Sequence, residues 1–428
     1  MEPNLTMLTD LYQLTMINGY YKKGTHEDTA VFDVFFRKNG SEGGYTIICG
    51  VTEVVEYIKS LKFEDSDLEY LRSLNLFEED FIQFLKDFKF TGDIYAVEDG
   101  TVMFPGEPVI VVKAPLYQAQ LIETAMLSIV NFMSLIATKA SRVCNAAKGD
   151  PVLEFGLRRA QGPQAGLYGA KAAVIGGCLG TSNVLAGKMF DVPISGTHAH
   201  SWVQKFDTEL DAFRAYAEVY PDECLLLIDT YNVLESGIKN ALIVFDELRA
   251  KGHEPVGVRL DSGDLAYISK EVRKILDEAG YPDAKITASN DLDEYTITSL
   301  KQEGAEIDSW GVGTKLITSY DYPSLGGVYK LAATSNSKGE LVPKIKISEN
   351  PEKINNPGFK KVVRIYNPCG RAAADLIMLN HEEIDTTAPI EIFDPVYTWK
   401  RKKIEHYAIR EMLSPLFLDG KCVREEKS

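Results

Sequence analysis

The stretch Ser195-Gly196-Thr197-His198-Ala199-His200-Ser201-Trp202 sets two of the chain's six histidines two residues apart, directly after the apolar run Asp191-Val192-Pro193-Ile194. An imidazole can act as acid, base, metal ligand or nucleophile. A strand-to-helix junction puts such side chains, with free backbone N–H groups, at the mouth of an α/β fold. A pair of capping or packing histidines fits the same pattern. Four other groups also carry reactive side chains. Arg158-Arg159 with Gln161-Gly162 offers guanidinium forks suited to phosphate or carboxylate, or to a surface salt bridge. Arg259-Leu260-Asp261-Ser262-Gly263-Asp264 combines a cation, two carboxylates for Mg²⁺ or ribose hydroxyls, and a Ser-Gly turn open to an anion. Asp229-Thr230-Tyr231 reads equally as a site carboxylate or as an ordinary helix cap. Gly311-Val312-Gly313-Thr314-Lys315 is a glycine turn suited to phosphate, without Walker A spacing.

Each group follows an apolar run: 152–155, 192–194, 224–228, 256–258, 285–288 and 307–312. The markers Gly196, Asp229, Asp261, Asn290 and Gly313 lie 33, 32, 29 and 23 residues apart. Amphipathic segments fill the intervals; one sets Leu265, Ile268, Val272, Ile275, Leu276 and Ala279 on a single helical face. Strands alternating with helices at this period predict successive βα units and a parallel sheet or barrel. In a barrel the polar groups at the strand ends form the rim, where active sites are built.

The flanking regions differ. The spacing predicts a helix over 9–22 that contains Tyr12, a strand over 30–36, a β-rich module over 91–115 and a long helical region over about 117–148. After Ser324 the βα rhythm stops. A hairpin turn is expected at Ser335-Asn336-Ser337-Lys338-Gly339, with strands over 362–366 and 390–393 and a basic helical tail over 398–414. The expected division is an N-terminal helix and α+β domain (1–116), an irregular α/β barrel (117–324), and a C-terminal segment (325–428) that completes the β-rich domain and adds the tail.

With 428 residues, 45% hydrophobic and 25% charged, the chain can bury a substantial core. A formal net charge of −16 argues against nucleic acid or an anionic membrane as partner. Six scattered cysteines without CxxC spacing suggest reduced thiols in the cytoplasm and no zinc knuckle. The start, Met1-Glu2-Pro3-Asn4, has no signal-peptide character. The apolar stretch 125–138 is interrupted by Asn131 and reads as a buried helix, not a membrane span. These residues together point to a Mg²⁺-dependent enzyme acting on a phosphorylated sugar or nucleotide.

Several long motifs resemble nicotinate phosphoribosyltransferases. They are Thr9-Asp10-Leu11-Tyr12-Gln13-Leu14-Thr15-Met16, Glu154-Phe155-Gly156-Leu157-Arg158-Arg159-Ala160-Gln161-Gly162, Gly196-Thr197-His198-Ala199-His200-Ser201, the 259–264 group, Gly311-Val312-Gly313-Thr314 and Tyr322-Pro323-Ser324-Leu325-Gly326-Gly327. The resemblance implies an irregular, incomplete α/β barrel joined to a β-rich domain built from both chain ends, and a homodimer with shared active sites. It implies transfer of a phosphoribosyl group from 5-phosphoribosyl 1-diphosphate to nicotinate, with Mg²⁺, coupled to ATP hydrolysis through a phosphohistidine. Matched by motif, the phosphohistidine is His200, with Asp261 as a second catalytic residue. Tyr12, Thr197 and Arg259 fall at positions implied to hold nicotinate, and Arg158, Gly313 and Thr314 at positions around the ribose and phosphates. No residue is implied as a direct protein ligand of a metal. Nicotinamide or quinolinate transferases on the same fold, a non-catalytic ligand-binding homologue, and a Schiff-base aldolase using Lys315 remain as alternatives.

Overall fold

The apolar runs that precede the reactive groups form short strands of one parallel sheet. The computed structural model describes residues 4–39, 43–347, 355–395 and 397–424. Two units divide the chain: Met1–Ser134 with Ser324–Ser428, and Leu135–Pro323. In the second unit the strand order is Gly180–Thr181, Val152–Glu154, Ser309–Val312, Lys285–Asn290, Gly257–Leu260, Leu225–Leu227. Every neighbouring pair is parallel. Helices on these strands supply the cover that a parallel sheet needs. Leu226, Val258, Ile286, Ala288, Trp310 and Val312 are fully buried in consequence. Gly257, at φ 150°, lets two strands approach closely: a Cβ there would stand 2.0 Å from the Lys285 carbonyl oxygen.

The sheet does not close on itself, so the barrel is incomplete. One edge is Leu225–Leu227. The other, Gly180–Thr181, meets Ile194 through a single parallel bridge to Thr181. The strand expected over 192–194 is therefore reduced to that bridge. The Gly180–Thr181 strand was not anticipated, because two residues without apolar side chains leave no hydrophobic run. The segment after the histidines is also broken: helix His200–Lys205 ends after six residues, and Glu209–Val219 follows with Thr208 as its cap.

The first unit carries a seven-stranded sheet ordered Leu341–Pro343, Gly327–Ser335, Thr29–Phe36, Ile110–Pro115, Asp93–Ala96, Ser414–Leu418, Lys421–Cys422. Both chain ends thus enter one sheet. The central strand Thr29–Phe36 is buried along nearly its whole length. Its one charge, Asp33, meets Lys360 at 2.6 Å, with both side chains almost fully buried. Burial lifts the Asp33 pKa to about 6 despite the ammonium beside it.

Residues 398–414 are not helical. They contribute strands Arg401–Ile404 and Ala408–Glu411 and the start of Ser414–Leu418. The run of long charged side chains favours a helix locally. His406 sits at φ 53°, however, and Ile409 pairs with Ile365 of the strand Lys360–Tyr366, so distant partners override the propensity. The boundary between the two units falls inside the helix Glu123–Ala147, at 134/135, and not at the expected 116/117. By length and composition that helix could cross a membrane. Here it is a core helix, with Met126, Met133, Ala137, Ala140 and Val143 fully buried.

Candidate active site

The carboxyl ends of the parallel strands bring Arg158, Thr197, His200, Arg259 and Asp261 of the second unit into two neighbouring clusters. Arg259 is the third residue of the strand Gly257–Leu260. Its Nη1 donates to Thr197 Oγ1 at 2.7 Å, and its Nε is buried without a partner. Burial lowers the guanidinium pKa, opposed by Asp261 and Asp229. Arg158 follows the strand Val152–Glu154 on a single 3₁₀ turn and is exposed. Both arginines line a cavity of about 330 Å³, together with Phe155, Ser182, Thr197 and His198. Such a cavity is at the small end of ligand sites.

Phe155 and Ser182 were not singled out in the sequence. The signal that marks Phe155 is Gly311 on the adjacent strand, where a Cβ would lie 2.5 Å from the phenyl ring. The turn bearing Arg158 is held from beneath. Buried Glu154 accepts from Thr181 Oγ1 at 2.6 Å and from the Gly156 N–H. Burial raises the Glu154 pKa, and those two bonds oppose the rise.

A second cluster surrounds His200. Its Nδ1 is 3.1 Å from Thr230 Oγ1, and its Nε2 is 3.8 Å from Asp261 Oδ2. The Asp261 Oδ1 accepts from Ser289 Oγ. Asp229 caps no helix; Asn232 does that for the turn that follows. The Asp229 Oδ2 instead accepts the Asp261 N–H at 2.9 Å and Ser262 Oγ at 2.6 Å, which ties two strand ends together. Its Oδ1 is buried and has no hydrogen-bond partner. Asp229 and Ser289 are thus parts of the cluster that sequence spacing could not separate from ordinary caps and strand residues. Among the described residues no three His, Cys, Asp or Glu side chains are grouped for a metal.

His198 is not a surface member of the pair. It is 8% exposed, its ring centroid is 4.7 Å from that of Tyr216, and its Nε2 accepts the Leu227 N–H at 3.2 Å. Burial pulls its pKa down to about 4.

The remaining predicted residues of the second unit stand apart from both clusters, and Tyr12 belongs to the first unit. Asp264 caps the helix Leu265–Glu278 by accepting the Tyr267 N–H at 3.0 Å. Gly313 precedes a four-residue helix that Thr314 begins, and neither lines the cavity. Tyr12 lies half exposed on the helix Leu11–Lys23 of the other unit. Lys315 donates to Asp293 at 2.6 Å, and this bond raises its pKa. An ammonium held that way is the opposite of the amine a Schiff base requires, so the aldolase alternative loses its residue.

Comparison with known proteins bears on the family and the fold. The family model "Nicotinate phosphoribosyltransferase (NAPRTase) family" matches residues 151–365. The models of the N-terminal and C-terminal domains of nicotinate phosphoribosyltransferase match residues 7–131 and 359–428. The nicotinate phosphoribosyltransferase of Bacillus subtilis (strain 168) is 48% identical over 420 residues, which cover 98% of this chain and 85% of that protein. The Caenorhabditis elegans protein of the same name is 38% identical over 477 residues, covering 97% and 84%. The crystal structure of human nicotinic acid phosphoribosyltransferase superimposes with a TM-score of 0.86 at 30% identity, covering 97% of this chain and 90% of that one. The strand-end clusters, the incomplete barrel and matches along nearly the whole length agree: this chain belongs to the nicotinate phosphoribosyltransferase family.

Proposed function

We propose that the protein joins nicotinate to 5-phosphoribosyl 1-diphosphate, giving nicotinate mononucleotide and diphosphate for NAD biosynthesis, and that ATP hydrolysis is coupled to the transfer through His200. The cavity bearing two arginines beside an aromatic ring carries the reading. Arg259 and Arg158 would pair with the nicotinate carboxylate and a donor phosphate, and Thr197 holds Arg259 in place. Tyr12 is kept as a nicotinate contact, and Gly313 and Thr314 as contacts of the donor's phosphates, on the strength of their motifs.

In the transfer the pyridine nitrogen forms a bond to ribose C1 while the C1–oxygen bond to diphosphate breaks. Positive charge develops on the ribose, and a carboxylate at Asp261 is suited to stabilise it. Asp261 and the unpartnered Oδ1 of Asp229 are hard oxygen donors of the kind that hold Mg²⁺, which when bound neutralises charge on the departing diphosphate. In the coupled reaction a P–N bond forms between the ATP γ-phosphoryl group and His200 as the bond to ADP breaks; water later cleaves it. With the proton on Nδ1 donated to Thr230 Oγ1, the attacking nitrogen is Nε2, which faces Asp261 Oδ2 at 3.8 Å.

A homodimer with shared sites is part of the proposal. Leu8, Leu11, Tyr12 and Met16 are exposed apolar residues of the first unit, and Leu179, Val184, Leu185 and Ile194 of the second, all suited to burial by a second copy. Six free cysteines suit a reducing cytoplasm.

The deciding experiment supplies the phosphoribosyl donor and Mg²⁺ with nicotinate, nicotinamide or quinolinate, with and without ATP, to the parent and to His200→Ala. The expected product is nicotinate mononucleotide, stimulated by ATP in the parent only. No nucleotide from any base would leave a ligand-binding homologue; equal ATP stimulation in both proteins would remove His200 from the coupling.

A further inference from the structure

A parallel barrel that fails to close leaves two strand edges with backbone groups to satisfy. At the Gly180–Thr181 edge the answer is backbone. The Thr181 N–H donates to the Pro193 carbonyl at 3.0 Å, and the Ser195 N–H to the Thr181 carbonyl at 2.9 Å. At the Leu225–Leu227 edge it is different. Leu227 pairs in register with Arg259, and the next N–H, that of Ile228, donates to the Arg259 carbonyl at 3.2 Å. By strand alternation the Leu227 N–H faces the other way, toward the gap. Leu227 is fully buried, so water cannot serve that N–H. The partner it finds is His198 Nε2, at 3.2 Å.

The segment 193–200 therefore crosses the gap with backbone bonds at one end and an imidazole at the other. A backbone N–H can only donate, so Nε2 must be the bare nitrogen and the ring must be neutral with its proton on Nδ1. Nδ1 lies 3.5 Å from the Ala199 carbonyl, and Tyr216 of the helix Glu209–Val219 packs against the ring. On one side of His198 in sequence is Thr197, which holds Arg259. Two residues on the other side is His200, which meets Thr230 and faces Asp261.

We propose that His198 is a positioning residue for the transfer reaction: by accepting the Leu227 N–H it closes the open edge of the barrel and fixes Thr197 and His200 at the mouth. Its ring lines the cavity, but the role assigned here is carried by the Leu227 N–H bond and acts through its two neighbours. The proposal deepens the reading of the site as an ATP-coupled nicotinate transferase and rests on it for its kinetic readout.

The test compares His198→Gln, whose side-chain oxygen can accept the N–H, with His198→Leu, of similar bulk but with no acceptor. Two measurements are made on the full-length protein: nicotinate kinetics with and without ATP, and amide exchange of Leu227. The Leu variant should raise the KM for nicotinate about tenfold, through Thr197 and Arg259, and lose most of the ATP stimulation. Its Leu227 amide should exchange at least about tenfold faster. The Gln variant should restore both to within about threefold of the parent. Equal behaviour of the two variants, or parental kinetics and exchange in the Leu variant, would overturn the proposal. If His198→Leu does not fold, His198→Asn, whose amide is too short to reach the strand, takes its place under the same criteria. Amide exchange does not depend on activity. A parent inactive with nicotinate would therefore defeat the functional reading, while the exchange data still decide whether His198 closes the edge.

Discussion

Replacing Arg259 tests the proposal that its guanidinium reads the nicotinate carboxylate. Its guanidinium is largely withdrawn from water, one donor is bound to Thr197 at 2.7 Å, and the buried Nε has no partner. A paired charge-assisted contact to an anion is worth roughly 3 kcal/mol. At 1.36 kcal/mol per decade, its loss in Arg259→Ala lowers kcat/KM for nicotinate by about 150-fold. Nicotinamide has the same ring and no charge, so its much smaller kcat/KM should fall far less. The preference for nicotinate over nicotinamide is thus the quantity to measure, from initial rates with both bases at saturating phosphoribosyl donor. Arg158 lines the same cavity but is exposed, so solvent screening should limit Arg158→Ala to a several-fold loss. A parallel fall for both bases in Arg259→Ala, with the preference unchanged, would show that Arg259 does not read the carboxylate and would refute the argument.

Two further outcomes follow from the same geometry. Asp229→Ala removes the acceptor that joins the Asp261 N–H and Ser262 Oγ, and should destabilise the protein by roughly 2–3 kcal/mol while lowering kcat; urea melts and rates that match the parent would contradict this. His198 makes stability depend on pH. Burial holds its folded pKa at about 4, below the ordinary 6.5, so the unfolded chain takes up the proton first as pH falls. The stabilisation is therefore present above about pH 6.5 and drains away toward pH 4, with about 2 kcal/mol gone at pH 5. His198→Gln should lose less stability than the parent between pH 7 and pH 5 in denaturant titrations, and identical slopes would count against it.

Much of the site is legible in the chain because the βα repeat places polar residues at strand ends at regular intervals. Arg158, the histidine pair, Arg259 and Asp261 stand in groups marked that way, the family resemblance singled out Thr197 and chose His200 of the pair, and the strand ends carry all of them. Residues that act through burial were not legible. Nothing near Asp229 in sequence distinguishes a helix cap from a brace between two strands. Phe155 enters the cavity wall because Gly311, on a strand over 150 residues later, leaves it room. The tail 398–414 misled for the converse reason: local helix preference lost to strand partners about forty residues away.

The sequence alone determined the alternation of strands and helices, the side of the sheet on which chemistry sits, and the family, because these depend on periodicity and on motifs read along the chain. Only the tertiary structure decided that the barrel stays open, that Asp229 ties Asp261 and Ser262 into the cluster, and that His198 is buried against Leu227 while His200 meets Thr230. His198 and His200 differ by two positions in sequence. One accepts the N–H that the sheet leaves over at a buried strand edge and the other faces the mouth, and that distinction arises only when the gap between the first and last strands is left for a side chain to fill.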